Sequence, residues 1–235
     1  NNWSNQESAR RSGFDAEIVE LSNLRGDMQM KSIFKPIVPD ASIADLRMHW
    51  DANRVMFTTL MGENDKRWNV YEVKLDGTGC KKLIENEEPD LEFYDGTYLP
   101  DGRIIANSNI GYQGVPCVSG DDPVGNMVLY TPEQKNLRRL TFDQDANWNP
   151  VVMNNGRVMY TRWEYTDLTH YYSRIVMHMN PDGTENKALY GSGSMFPNST
   201  FDIQPLPGHG SAFVGIISGH HGVARSEERR VGKEC

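Results

Sequence analysis

The chain has 235 residues, 38% hydrophobic and 24% charged, which is enough apolar material for a sizeable core and too much for an intrinsically disordered chain. Its 24 basic and 32 acidic residues give a net charge of −8, the wrong sign for a general nucleic-acid binder. No apolar run approaches the ~20 residues of a membrane-spanning helix, and 21 glycines with 12 prolines describe a chain that turns often.

Residues 1–15 are expected to be a poorly ordered N-terminal segment, and 16–40 the end of a structural unit whose pattern then recurs. Three later stretches share a turn followed by an apolar or β-branched run: Asp51-Ala52-Asn53-Arg54-Val55-Met56-Phe57, Asp101-Gly102-Arg103-Ile104-Ile105-Ala106, and Asn155-Gly156-Arg157-Val158-Met159-Tyr160. Their arginines are 49 and 54 positions apart. Each is followed by a second strand-like run, beginning at Trp68, Asn126 and Arg174. Another turn comes next, at Asp76-Gly77, Pro132-Glu133 and Asp182-Gly183. A last short run closes each unit, from Cys80, Leu137 and Lys187.

Asp-Gly and Asn-Gly pairs signal tight hairpins, because the turn needs positive φ and glycine adopts it without steric cost. A repeat of ~50 residues with several short strands and no long amphipathic helix reads as the blades of a β-propeller. The predicted fold is therefore all-β, with 16–224 forming an incomplete propeller of about three full and two partial four-stranded blades. The blades divide at 16–40, 41–85, 90–142, 143–191 and 195–224. That is fewer than a closed ring comfortably uses, and an open arc leaves strand edges and apolar faces exposed. The chain is expected to be part of a longer polypeptide.

The last eleven residues, Arg225 to Cys235, have no hydrophobic period and resemble the translation of a common sequencing-adapter oligonucleotide. They are read as an artefact, expected to be disordered. Setting aside their four basic and three acidic residues leaves 20 basic and 29 acidic, a net charge of −9, with Cys80 and Cys117 as the remaining cysteines.

Several runs carry a family resemblance. Asp76-Gly77-Thr78-Gly79 with Lys81-Lys82-Leu83 looks like the repeat of TolB-type six-bladed propellers. Tyr94-Asp95-Gly96, Leu99-Pro100-Asp101-Gly102-Arg103, Gln113-Gly114-Val115-Pro116-Cys117, Arg162-Trp163-Glu164-Tyr165-Thr166-Asp167 and Ser218-Gly219-His220-His221-Gly222 are more specific. Together they resemble the middle domain of the hydrazine synthase alpha subunit and its homologues over about residues 15–224. The resemblance implies a propeller embedded in a larger exported bacterial protein, periplasmic or extracellular, beside c-type cytochrome modules. Haem c would then sit in flanking domains, since this sequence has no Cys-x-x-Cys-His. The expected partners are other domains of the same polypeptide or an associated cytochrome subunit.

The candidate ligand-binding residues are Trp163, Glu164, Tyr165, Asp167, His170, His220 and His221. The run from Arg162 to Asp167 opens a longer connection than its counterparts, and long loops on a rigid scaffold gather recognition residues. Trp163 and Tyr165 could stack on a ligand while Glu164 and Asp167 bind a cation or hydroxyl; equally, Trp163 could pack between blades. His220 and His221 are adjacent, so in a strand only one of them faces a given site; with His170 and Glu164 it could supply metal ligands. No nucleophile elbow, phosphate loop or His-Glu-x-x-His motif is present. The sequence favours a recognition scaffold without catalysis of its own, against an enzyme with a metal or acid/base site on the propeller face.

Overall fold

The computed structural model describes residues 11–62, 66–115, 120, 122–163, 174–191 and 199–218, and the backbone of 225–231. Among them the secondary structure is strand throughout, apart from one 3-10 turn at Pro132–Gln134. Two strands, β1 (Ile18–Ser22) and β2 (Gln29–Phe34), form an antiparallel pair. A four-stranded sheet follows, of β3 (Ile43–Met48), β4 (Arg54–Thr59), β5 (Asn69–Lys74) and β6 (Lys81–Lys82). The next sheet is β7 (Phe93–Tyr98), β8 (Ile104–Ser108), β9 (Asn126–Thr131) and β10 (Asn136–Arg139). The fourth is β11 (Asn147–Val152), β12 (Val158–Trp163), β13 (Arg174–Met179) and β14 (Lys187–Tyr190). Finally, β15 (Ser199–Pro205), β16 (Phe213–Ser218) and β17 (Arg225–Val231) pair in sequence order, joined to β13 through a single parallel bridge, Arg174 to Ser199.

Each complete sheet is an up-and-down meander whose first strand is innermost. Among the described residues this is three full blades and two partial ones, and the end sheets do not pair with each other, so the ring they form is open. The tail read as foreign, Arg225–Val231, runs antiparallel to β16 as β17.

The turns form as their residues dictate. In five hairpins the Asp or Asn side chain accepts the backbone N–H two residues on: Asp51 from Asn53 (2.9 Å), Asp76 from Thr78 (2.8 Å), Asp101 from Arg103 (3.1 Å), Asn155 from Arg157 (3.1 Å) and Asp182 from Thr184 (3.0 Å). In four of these, glycine holds the intervening positive φ; in the first, Ala52 does so at 55°.

The core lies between sheets. Ile18, Ile33 and Phe34 meet Val55, Phe57, Tyr71 and Val73 across the first interface. Met56, Val70 and Ile84 meet Phe93, Tyr98, Ala106 and Val128 across the second. Leu99, Ile105 and Met127 meet Val152, Tyr160 and Met177 across the third, and Met159 and Val176 meet Ile203 and Phe213 across the fourth. Each such side chain contributes roughly 1.5–3 kcal/mol on burial. Because middle blades are covered on both faces, β4 and β9 are buried along nearly their whole length and lack the in–out alternation of a one-sided sheet.

Candidate functional site at the propeller axis

Every innermost strand carries a β-bulge at the same step, where two of its residues oppose one on the neighbouring strand. The pairs are Asp45 and Leu46 on β3, Asp95 and Gly96 on β7, Asn149 and Pro150 on β11, and Asp202 and Ile203 on β15. The first residue of each pair has left-handed φ, at 58°, 51°, 53° and 45° respectively. Asp and Asn enter that region more readily than other residues with a Cβ, because the short polar side chain bonds locally. The bulge thus accounts for an Asp or Asn at all four positions.

A bulged residue has no strand partner for its N–H, and an unpaired buried donor is costly. Here the preceding blade supplies the acceptor. Asp95 N–H donates to Asp45 Oδ2 at 3.0 Å and lies 3.3 Å from Thr58 Oγ1. Asn149 N–H donates to Asp95 Oδ2, which also accepts from Asn107 Nδ2 at 3.2 Å. Asp202 N–H donates to Asn149 Oδ1 at 3.4 Å, and Asn149 Nδ2 returns a bond to Asp202 Oδ1 at 2.9 Å. One belt of side chains therefore ties four successive blades along the axis.

Three of its members are carboxylates. Asp95, only 3% exposed, is pushed up to about 7, first by burial and then by the Asp45 charge, against the opposing pull of Arg47 and the Asn149 N–H. Burial also raises Asp45, which the Asp95 N–H, the Thr58 hydroxyl and Arg47 partly offset. Arg47 Nη2 lies 3.7 Å from Asp95 Oδ1, beyond direct hydrogen-bond reach, and neither atom has a hydrogen-bond partner among the described residues. With its carboxyl raised to about 7, Asp95 can hold a proton near neutral pH.

Two further constellations occupy the same end of the sheets, where the inner strands begin. Arg11 crosses from the N-terminal segment to Glu92, its Nη1 and Nη2 bonding Oε1 and Oε2 at 2.5 and 2.9 Å while the guanidinium lies 5.6 Å from the Trp68 ring. Glu92 is raised chiefly by burial, with Arg11 pulling it back. Between the fourth and fifth sheets, Arg174 is 1% exposed inside a cage of Trp148, Trp163 and Phe201, at 5.4, 5.3 and 5.3 Å from the ring centroids.

Of the sequence-predicted candidates, Trp163 is thus placed inside the molecule, 1% exposed, beside Trp148, Val115 and Val124, with Arg174 over its ring. Glu164, Tyr165, Asp167, His170, His220 and His221 lie outside the described residues, as does Cys117; Cys80 is exposed and free. Asn147 pairs with Arg162, and Ser199 with Ser218. The connections 164–173 and 219–224 therefore spring from the end of the sheets that carries the belt. His178 bonds Arg157 Nε through Nδ1 at 2.9 Å, and its imidazole is lowered by burial and by that arginine. Among the described residues, no group of three or more His, Cys, Asp or Glu is arranged to hold a metal ion, and no helix is long and apolar enough to cross a membrane.

Sequence reasoning missed the belt, Arg11, Glu92 and Arg174. The belt had a signal: Asp45, Asp95 and Asn149 each stand six positions before the Asp51, Asp101 and Asn155 turns, and Asp202 six before Gly208.

Neither a family model nor a curated protein sequence matches the chain. Solved structures do. Hydrazine synthase of Kuenenia stuttgartiensis superposes with a TM-score of 0.62 at 10% identity, over 81% of this chain and 30% of that one. A putative TolB from Agrobacterium tumefaciens gives 0.62 at 14% identity, over 88% and 65%. TolB from Acinetobacter baumannii gives 0.52 at 14%, over 91% and 53%. At these identities the likeness is one of fold. It makes the arc a TolB-like propeller, without singling out the hydrazine synthase family, and the chain spans less than two thirds of each of these three chains.

Proposed function

We propose that the chain is a scaffold and recognition propeller within a larger exported bacterial protein, non-catalytic by itself. The observation that carries this reading is the use of the axial carboxylates. Asp45 and Asp95 each give Oδ2 to a backbone N–H of the next blade, and Asp202 gives Oδ1 to the Asn149 amide. A general base must also reach its substrate, and Asp95 is buried with its remaining oxygen, Oδ1, turned toward Arg47. These groups act as fasteners. Export, and haem c in flanking domains, are carried over from the sequence resemblance; this chain would serve those domains, or an associated cytochrome subunit, as a rigid platform. Redox turnover assayed with the complete gene product and with this chain alone tests the reading. Activity confined to the longer protein is expected; turnover by this chain alone overturns it.

A second reading is favoured by one observation: the connections 164–173 and 219–224 both leave the sheets at the end that carries the belt. Glu164, Asp167, His170, His220 and His221 would there form a metal or acid/base site, with Tyr165 and Trp163 beside it. Calorimetric titration with Zn²⁺ and Mn²⁺ decides, since stoichiometric binding abolished by His170→Ala and His221→Ala is required.

A further inference from the structure

The shared bulge makes the inner strands strictly comparable. Leu46, Gly96, Pro150 and Ile203 hold one step, and Met48, Tyr98, Val152 and Pro205 hold the step two residues on. In the later sheets these positions lean on the preceding sheet. A Cβ on Gly96 would stand 2.5 Å from Met56 Sδ, Tyr98 is 7% exposed with its hydroxyl on Glu72, and Ile203 is 5% exposed. On β3 the same face is bare: Leu46 is 50%, Met48 55% and, just beyond the strand, Trp50 60% exposed.

The sheet before β3 explains the difference. It has two strands where the next three have four. β2 leads into β3 as β6 leads into β7 and β10 into β11, so β2 is the outermost strand and β1 the third. The inward edge of β1 pairs with nothing among the described residues. What is present, Ile18, Ile33 and Phe34, covers Val55, Phe57, Tyr71 and Val73 on β4 and β5 and reaches Ile43 at the start of the inner strand, leaving Leu46 and Met48 further along it exposed.

We propose that an antiparallel β-hairpin of the same polypeptide, encoded beyond this sequence, docks along the inward edge of β1 and covers Leu46, Met48 and Trp50. This rests on reading the chain as part of a larger protein. The hairpin supplies the first and second strands of that blade, its second strand antiparallel to β1 as β4 is to β5. Its face toward β3 is apolar, as Met56 and Val70 are where Gly96 meets its neighbour. The surface continues an interface already formed by Ile18 and Phe34. A second copy fits less well: its own inner-type pair, β15–β16, carries β17 on the edge that would have to join β1.

Hydrogen exchange of the 235-residue chain and of the complete gene product tests this. The expected result is that the β1 amides exchange at least roughly tenfold more slowly in the complete, monomeric product. Met48→Lys should lower the melting temperature of that product while reducing self-association of the short chain. Equal exchange of β1 in both overturns the proposal, as does a gene that ends at this sequence. Protection in the short chain that vanishes on dilution assigns the surface to a second copy and also overturns it. Turnover measured on the same samples bears on the scaffold reading alone, so the two can fail separately.

Discussion

The backbone N–H of Asn149 donates to the carboxylate of Asp95, 54 positions earlier and one blade back. The bulge removes that N–H from its own ladder, and the neighbouring blade satisfies it. The same relationship links Asp45 to Asp95 and Asn149 to Asp202, so a local irregularity repeated in each blade becomes the joint between blades.

Asp95 should give the protein a pH dependence of definite sign. Its carboxyl is raised from 3.8 to about 7, so between those values the native state holds a proton that the unfolded state releases. This group's contribution to stability therefore falls as pH rises through that window, with a limiting slope of about 1.4 kcal/mol per pH unit for one proton, and the loss is complete above about 7. Asp95→Asn still accepts the Asn149 N–H and carries no charge. Calorimetric melting from pH 4 to 8 should show a flatter profile for the variant; parallel profiles would contradict the assignment.

Arg174 is held by three aromatic rings and by Ser199 Oγ at 3.2 Å. Arg174→Ala should cost about 3 kcal/mol through the void and the lost cation–π contacts, and Arg174→Lys about 1–2 kcal/mol. Urea unfolding followed by tryptophan fluorescence reads both. An alanine variant within 0.5 kcal/mol of wild type would show that the cage does not hold the fourth and fifth sheets together.

Gly96 tests the packing between the second and third blades. Its missing Cβ would lie 2.5 Å from Met56 Sδ and 3.1 Å from Val70 Cγ1. Gly96→Ala should cost about 1–2 kcal/mol, part of it recovered in the double variant with Met56→Ala. Additive effects in that double-mutant cycle would contradict the contact.

Arg11 and Glu92 tie the N-terminal segment across the second blade to the third. The Glu92 side chain is 9% exposed and Arg11 29%, so the pair is partly screened, and removing Arg11 should cost about 1–2 kcal/mol. Because Arg11 holds the Glu92 carboxyl down, Arg11→Ala should raise it further and make the loss larger at pH 7 than at pH 4. A loss independent of pH would place the effect elsewhere.

The blades were legible because their turn chemistry is local: Asp101-Gly102 or Asp182-Gly183 makes a hairpin wherever it occurs, and the runs beside it are β-branched and apolar. The axial belt was legible only in the recurrence of an Asp or Asn six positions ahead of each turn; taken singly, such a residue looks like any solvated polar residue until the bulge turns it toward the next blade. Trp163 stood in a run open to two readings, a stacking platform and packing between blades, and its placement beside Trp148 and Arg174 depends on a residue eleven positions away and another blade's Phe201. Long-range partners of this kind leave no periodicity in the sequence.

The belt is tested most directly by hydrogen exchange at the Asn149 amide in the wild type and in Asp95→Ala. That amide has no strand partner in its own sheet, so its protection should come from Asp95 alone. Slow exchange is expected in the wild type and at least roughly tenfold faster exchange in the variant, with the Tyr160 amide of β12 unchanged. Unchanged exchange at Asn149 in Asp95→Ala would contradict the belt as the joint between blades.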